Sequence, residues 1–154
     1  MQEVNIYINV SHTGHLKKGK GAYSIVLEFY SSSGNPITRE YIDGLKNTTL
    51  NRVAIKACIT ALEYLIKQCK VNLTINSEHV VRAMNESLWI QWIDTGRNAK
   101  GQPAKNMDLW QQLLEQADKH DVTFTYAETN PYTAYMSNQI RKMNIDYKED
   151  EGNV

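Results

Sequence analysis

The chain is poor in the features that mark secreted, fibrous or membrane proteins. It has only two cysteines, three prolines and two phenylalanines in 154 residues. Two cysteines, Cys58 and Cys69, are too few for a disulfide framework and read as reduced thiols. Scarce proline, with only eight glycines, excludes collagen-like and low-complexity classes. No apolar run approaches the ~20 residues that cross a bilayer. The chain opens on a strand-like run and shows no basic segment followed by an apolar stretch. The expectation is a cytoplasmic protein with no membrane partner. An excess of one charge is also missing, since 17 basic residues balance 17 acidic ones. That excludes a strongly basic nucleic-acid binder but leaves room for a local basic patch. Four Asn-x-Ser/Thr triplets, at Asn9, Asn47, Asn72 and Asn85, read as chance in an Asn-rich chain without a secretory signal.

What is present is ordinary globular sequence, 42% hydrophobic and 22% charged, enough for one domain with a real core. Alternation predicts strands over 3–10, 22–30, 37–43, 71–76 and 122–127. The loop 11–21 is rich in Gly and Lys, and 31–36 is a turn. Thr49 can cap a helix running to about residue 68, with Ile55, Cys58, Ile59, Leu62 and Ile66 on one face. A short helix should follow Ser77. Further helices are expected over about 105–119 and 133–143, with a protrusion holding Trp89 and Trp92 at 87–104. This order predicts an α/β fold: a five-stranded mixed sheet, three antiparallel strands then two parallel, flanked by helices. One domain should cover 1–145, leaving 146–154 as a frayed acidic tail.

One residue is out of place. Asn9 sits mid-strand in "IYINVS", where an unpartnered buried amide costs roughly 1–3 kcal/mol. Asn5, Tyr7 and Asn9 share one strand face, as do Asn72, Thr74 and Asn76 in "VNLTIN". If those strands pair in parallel, Asn9 and Asn76 could meet near the sheet centre. Asn76 could equally help cap the following helix, and Asn9 could pair with neighbouring backbone.

Several stretches, in this order, resemble type 1 ribonuclease H. "KNMDLWQQLL" (105–114) is similar to the family's Lys-Asn-x-Asp-Leu-Trp-Gln helix, and "TTLNRVAIKACITALEYL" (48–65) to its Thr-Thr-Asn-Asn-Arg-x-Glu helix. "LTINSEHV" (73–80) resembles its Thr-Asp-Ser strand end, and "IYINVS" its opening Tyr-Thr-Asp-Gly-Ser. The resemblance spans residues 3–143 and implies the ribonuclease H-like fold. It also implies a family chemistry in which four carboxylates hold two Mg²⁺ ions that cleave the RNA strand of RNA–DNA hybrids. Here the matching positions are Asn9, Ala54, Asn76 and, with a one-residue loop deletion, Asn138. Val10 replaces the glycine after the first aspartate, and 128–135 has no histidine.

Two divalent cations close together need compensating anions, which four uncharged side chains do not supply. The expectation is therefore a chain with no intact catalytic residues, no metal site and no Mg²⁺ cofactor. Such a chain would bind RNA–DNA hybrid or duplex RNA without cutting it. Two alternatives stay open: a ribonuclease H-like scaffold for protein interaction or assembly, and weak residual hybrid cleavage using amides and acids such as Glu78 or Glu128. The resemblance places the phosphate-gripping groups at Thr48, Thr49, Asn51 and Arg52, although Leu50 replaces an expected asparagine. Arg97, Lys100 and Lys105 give the protrusion a thin basic charge, and Lys17, Lys18 and Lys20 add to it from the loop. Trp89, Trp92 and Trp110 are expected to pack rather than stack on bases.

Overall fold

The computed structural model describes residues 1–14 and 18–152; Lys17 lies outside them. The chain order is β1 (Gln2–His12), β2 (Gly19–Tyr30), β3 (Pro36–Thr48), α1 (Leu50–Glu63), β4 (Cys69–Ile75), α2 (Glu78–Asn85), α3 (Trp89–Thr95), α4 (Met107–Ala117), β5 (Asp121–Tyr126), α5 (Thr133–Lys142) and β6 (Lys148–Glu149). The sheet runs β5-β4-β1-β2-β3-β6. β1–β2 and β2–β3 are antiparallel; β1–β4, β4–β5 and β3–β6 are parallel. This is the mixed α/β, ribonuclease H-like architecture, with one strand more than the five expected.

The period-two pattern of β1 sets its two faces. Val4, Ile6, Ile8 and Val10 are buried in the core. Register places Ile6 beside Leu73 and Leu27, and Ile8 beside Ile75 and Ile25. This face meets Val53, Ile55, Ile59 and Leu62 of α1 and Trp110 and Leu113 of α4. Each such aliphatic side chain contributes roughly 1.5–3 kcal/mol by leaving water. Gly21 lets the sheet approach α1 closely, since a Cβ there would lie 3.0 Å from the Val53 side chain.

Thr49 caps α1 as expected, accepting from the Arg52 amide at 3.3 Å. The helix ends at Glu63, short of the predicted residue 68, and Ile66 is 99% exposed rather than on its buried face. The register of the next strand explains the early stop. Cys69 must pair with Gln2, so residues 64–68 have to reverse the chain.

The opposite sheet face carries Asn5, Tyr7 and Asn9, and α5 closes over it with Met136 fully buried. Tyr7 meets Tyr132 at 5.4 Å between ring centroids. Glu28, opposite Asn5 in the ladder, accepts from Asn5 Nδ2 at 3.1 Å and from the Tyr132 hydroxyl. Trp110 is buried and meets Trp92 at 5.4 Å and His79 at 5.7 Å, while Trp89 is half-buried. Burial pushes the His79 pKa below its ordinary value.

The tail corrects the sequence reading most plainly. Residues 148–149 add a sixth strand to β3, with Leu45 opposite Lys148 and Lys46 opposite Glu149. Lys148 Nζ lies 3.0 Å from Asp43 Oδ2, and Asn47 Nδ2 donates to both Glu149 oxygens at 2.9 Å. Low apolar content predicts fraying, but the parallel ladder, these polar contacts and Tyr147 packed on Gly44 hold the segment. No helix among the described residues is long and apolar enough to cross a membrane.

Candidate functional site at the carboxyl ends of β1 and β4

The parallel β1–β4 ladder ends at Ile8 beside Ile75, and the next β4-side residue is Asn76. Its side chain continues the ladder where the backbone stops. Asn76 Oδ1 accepts from the Val10 amide at 2.9 Å, and Nδ2 donates to the Val10 carbonyl at 3.1 Å. Nδ2 also donates to Asn9 Oδ1 at 2.9 Å, and Asn9 Nδ2 donates to Ser137 Oγ at 3.1 Å. Ser77 caps α2 by accepting from the Val80 amide at 3.3 Å, so capping falls to Ser77 rather than to Asn76. Among the described residues no buried side-chain N or O lacks a partner. The amides that looked costly in the sequence are therefore satisfied.

Of the four positions matched to carboxylates, Asn9 and Asn76 come together directly. Ala54 is fully buried in the apolar core on α1 and brings no polar atom. Asn138 is half-buried and accepts from Arg141 Nη2 at 3.1 Å. The α5 residue that reaches Asn9 is Ser137, one position earlier. Only helical register could have revealed it, and the diverged 128–135 segment left that register open.

This donor set does not fit the paired Mg²⁺ ions that the resemblance implies. Each amide oxygen of the pair already accepts a hydrogen bond, and NH₂ groups point into the cluster from both residues. Among the described residues, no three of His, Cys, Asp and Glu are grouped so as to hold a metal. Two carboxylates stand nearby at the same sheet end: Glu78, opening α2, and Glu128, just past β5. Tyr126 donates to Glu128 Oε1 at 3.2 Å. Desolvation, with Glu128 and Glu78 close by, raises the Tyr126 hydroxyl pKa.

The residues expected to grip phosphate are arranged differently from one another. Thr48 and Arg52 are buried, and both are engaged by acids. The Arg52 guanidinium donates to Asp108 through Nη1 at 2.9 Å and Nη2 at 2.8 Å. It also donates to Asp150 through Nε at 2.7 Å and Nη2 at 3.1 Å. Asn106 Oδ1 accepts from Nη1 at 3.2 Å, and the Thr48 hydroxyl donates to Asp150 Oδ2 at 2.8 Å. The hydrogen bond from Arg52 holds the Asp108 carboxyl below the usual range. Burial pushes Asp150 up, but bonds from Arg52 and Thr48 outweigh it and leave its pKa lowered. The Arg52 pKa is raised: its bond to Asp108 is the largest influence and, with Asp150, outweighs burial. Sequence reading missed both acid partners; Asp150, 98 residues away, leaves no local signal.

Asn51, Lys105 and Trp92 line a cleft of about 150 Å³ beside His79. Arg97, Lys100 and Lys105 are exposed on or next to the protrusion, where Arg97 Nη1 donates to the Gly101 carbonyl at 2.8 Å. They do not reach the Asn9–Asn76 cluster by any direct bond.

The RNase H family profile matches residues 1–131. A ribonuclease H of Lachnoclostridium phytofermentans is 40% identical over 127 residues, covering 82% of this chain and 80% of its own. A ribonuclease H of Pseudoalteromonas atlantica is 37% identical over 130 residues, covering 83% and 79%. Among solved structures, LC9-RNase H1, a type 1 RNase H with the type 2 active-site motif, superposes with a TM-score of 0.76 at 21% identity. That match covers 90% of this chain and 70% of the other. LC11-RNase H1 in complex with RNA/DNA hybrid gives 0.61 at 19% identity, covering 88% and 91%. These relatives correct the expectation of a chain without catalysis, because proteins up to 40% identical to it over 127 aligned residues are named as the enzyme ribonuclease H. The binding-only and scaffold-only readings, which rested on the uncharged Asn9, Ala54, Asn76 and Asn138, give way with it. The chain belongs to the RNase H family.

Proposed function

We propose that this chain is a ribonuclease H that cleaves the RNA strand of RNA–DNA hybrids. The observation that carries this reading is 40% identity to a ribonuclease H over 127 residues. Family neighbours solved with RNA/DNA hybrid bound support the choice of nucleic acid.

The polar end of the β1–β4 ladder is the reaction site in this reading. Hydrolysis of a phosphodiester needs a held phosphate, a positioned water and acceptors for its protons. Asn9, Asn76 and Ser137 form a connected amide–hydroxyl cluster; both Asn76 Nδ2 hydrogens are engaged within it, which leaves the second Asn9 Nδ2 hydrogen and the Ser137 hydroxyl to donate to phosphate or ribose oxygens. Glu78 and Glu128 are the carboxylates at that sheet end able to take a proton from water. No step is assigned to Mg²⁺ at the amide cluster, since its donors do not suit one. Arg97, Lys100 and Lys105 supply the electrostatic contact. Three phosphate contacts give modest affinity that falls steeply with salt.

The test is cleavage of an end-labelled RNA–DNA hybrid at low salt, with duplex RNA and duplex DNA alongside. Asn9→Ala and Glu128→Gln should each lower the rate without changing the melting curve by more than a few degrees. Equal cleavage of hybrid by the wild type and both variants would remove the site from the reaction.

A further inference from the structure

The polar phase of β1 and β4 carries a second amide pair, Asn5 with Asn72, that the reaction site does not use. It lies four residues down each strand from Asn9 and Asn76. Asn72 Nδ2 donates to Asn5 Oδ1 at 3.0 Å and to Glu3 Oε1 at 2.9 Å. Asn5 Nδ2 in turn donates to Glu28 Oε1 at 3.1 Å, and the Tyr132 hydroxyl donates to Glu28 Oε2. Hydrogen bonds therefore run from β4 through β1 and β2 to the residue that opens α5. Glu28 is 8% exposed, and among the described residues its partners are Asn5, Tyr30 and Tyr132, all uncharged.

Little else fixes α5. A helix of ten residues is marginal in water on its own, and Met136 alone among them is buried. Tyr132 holds the cap position, but its side chain makes no capping bond and turns to Glu28 instead. That bond pushes the phenol up to about 12, so the hydroxyl stays a donor. The ring is held as well, 5.4 Å from Tyr7, which stands between the two amide pairs on β1. Five residues further along the chain, Ser137 Oγ accepts from Asn9 Nδ2 at 3.1 Å. One end of the helix is thus tied to Glu28, and its middle carries a hydroxyl of the reaction site.

We infer that Glu28 and Tyr132 are positioning residues, whose bond clamps the start of α5 and thereby holds the Ser137 hydroxyl on Asn9 in the geometry the reaction needs. The role in the reaction rests on the ribonuclease H reading; the placement of Ser137 does not. The clamp acts through the helix, and a group misplaced by about 1 Å can slow a reaction by up to about a hundredfold.

Two variants open the clamp from its two sides. Tyr132→Phe removes the hydroxyl and keeps the ring on Tyr7, whereas Glu28→Gln keeps the volume and removes the carboxylate. Tyr23→Phe is the control, because it removes a tyrosine hydroxyl 3.4 Å from Thr60 Oγ1 on the other face of the sheet. The Asn9 side-chain amide and the Ser137 backbone amide are followed by NMR in each full-length protein. Both signals should shift in Tyr132→Phe and Glu28→Gln and stay in place in Tyr23→Phe. On labelled hybrid, the two opening variants should lower kcat about tenfold with KM unchanged, the pattern of an interaction lost in the transition state. Adding Tyr132→Phe to Ser137→Ala should cost nothing more, since the group being positioned is already gone. Unmoved Asn9 and Ser137 signals in Tyr132→Phe would overturn the clamp. So would an unchanged kcat beside a wild type that cleaves, or a loss of kcat as large without Ser137 as with it. If the signals shift while the wild type cleaves no hybrid, the placement of Ser137 stands and the ribonuclease H reading falls.

Discussion

The Asn76 side chain bonds both backbone groups of Val10, extending the β1–β4 ladder by one residue through an amide instead of a peptide. A carboxylate in its place would set oxygens against the Val10 carbonyl and Asn9 Oδ1. Asn76→Asp should therefore destabilise the fold by about 1–3 kcal/mol, the cost of leaving buried groups unmatched. Urea denaturation at pH 7 checks this. Unchanged stability would mean that water replaces the lost donors.

The amide cluster should also respond to charge restoration in the register the structure gives. A variant carrying Asn9→Asp, Asn76→Asp and Ser137→Asp should melt lower than wild type without divalent ions, because like charges held together oppose folding. Millimolar Mg²⁺ should recover part of the loss by binding the folded state, while the wild-type melting temperature stays put. With Asn138→Asp in place of Ser137→Asp the recovery should be smaller. A larger recovery with Asp at 138 would move the α5 contribution to that position.

Stability should fall on the acid side. Asp108 and Asp150 have lowered folded pKa values, so their contribution is complete above the ordinary carboxylate range. It is lost as pH drops through the folded values. Arg52, whose pKa is raised, stays charged throughout. Thermal melts from pH 7 to pH 3 should show a shallower decline for Asp150→Asn than for wild type. Parallel curves would mean that Asp150 gains nothing from its seat on Arg52.

The tryptophans separate core from surface. Trp110 is 1% exposed, and Trp110→Ala should cost about 3–5 kcal/mol. Half-buried Trp89 should cost clearly less on truncation. Comparable losses, measured by chemical denaturation, would place Trp89 in the core.

Local patterns carried most of the fold. The alternation in "IYINVS" and "VNLTIN" located β1 and β4, and their pairing brought Asn9 to Asn76 as the shared polar phase suggested. Contacts made by the segments after β5 were not legible. Asp150 on Arg52 depends on a two-residue strand with no apolar pattern, and Ser137 on Asn9 depends on a helix register that a diverged loop hides. The four uncharged positions were legible too, but the inference drawn from them about activity was corrected by the relatives, which match over 127 to 130 residues and not at four positions alone.

Strand-specific cleavage tests hybrid hydrolysis by this chain most directly. A hybrid labelled separately on its RNA and DNA strands is incubated with the wild-type chain and with the Asn9→Ala variant at low salt. Ribonuclease H activity at the Asn9–Asn76 site predicts shortened RNA, intact DNA, no cutting of duplex RNA, and a lower rate for the variant. RNA left intact by both proteins, at concentrations where each is folded, would contradict it.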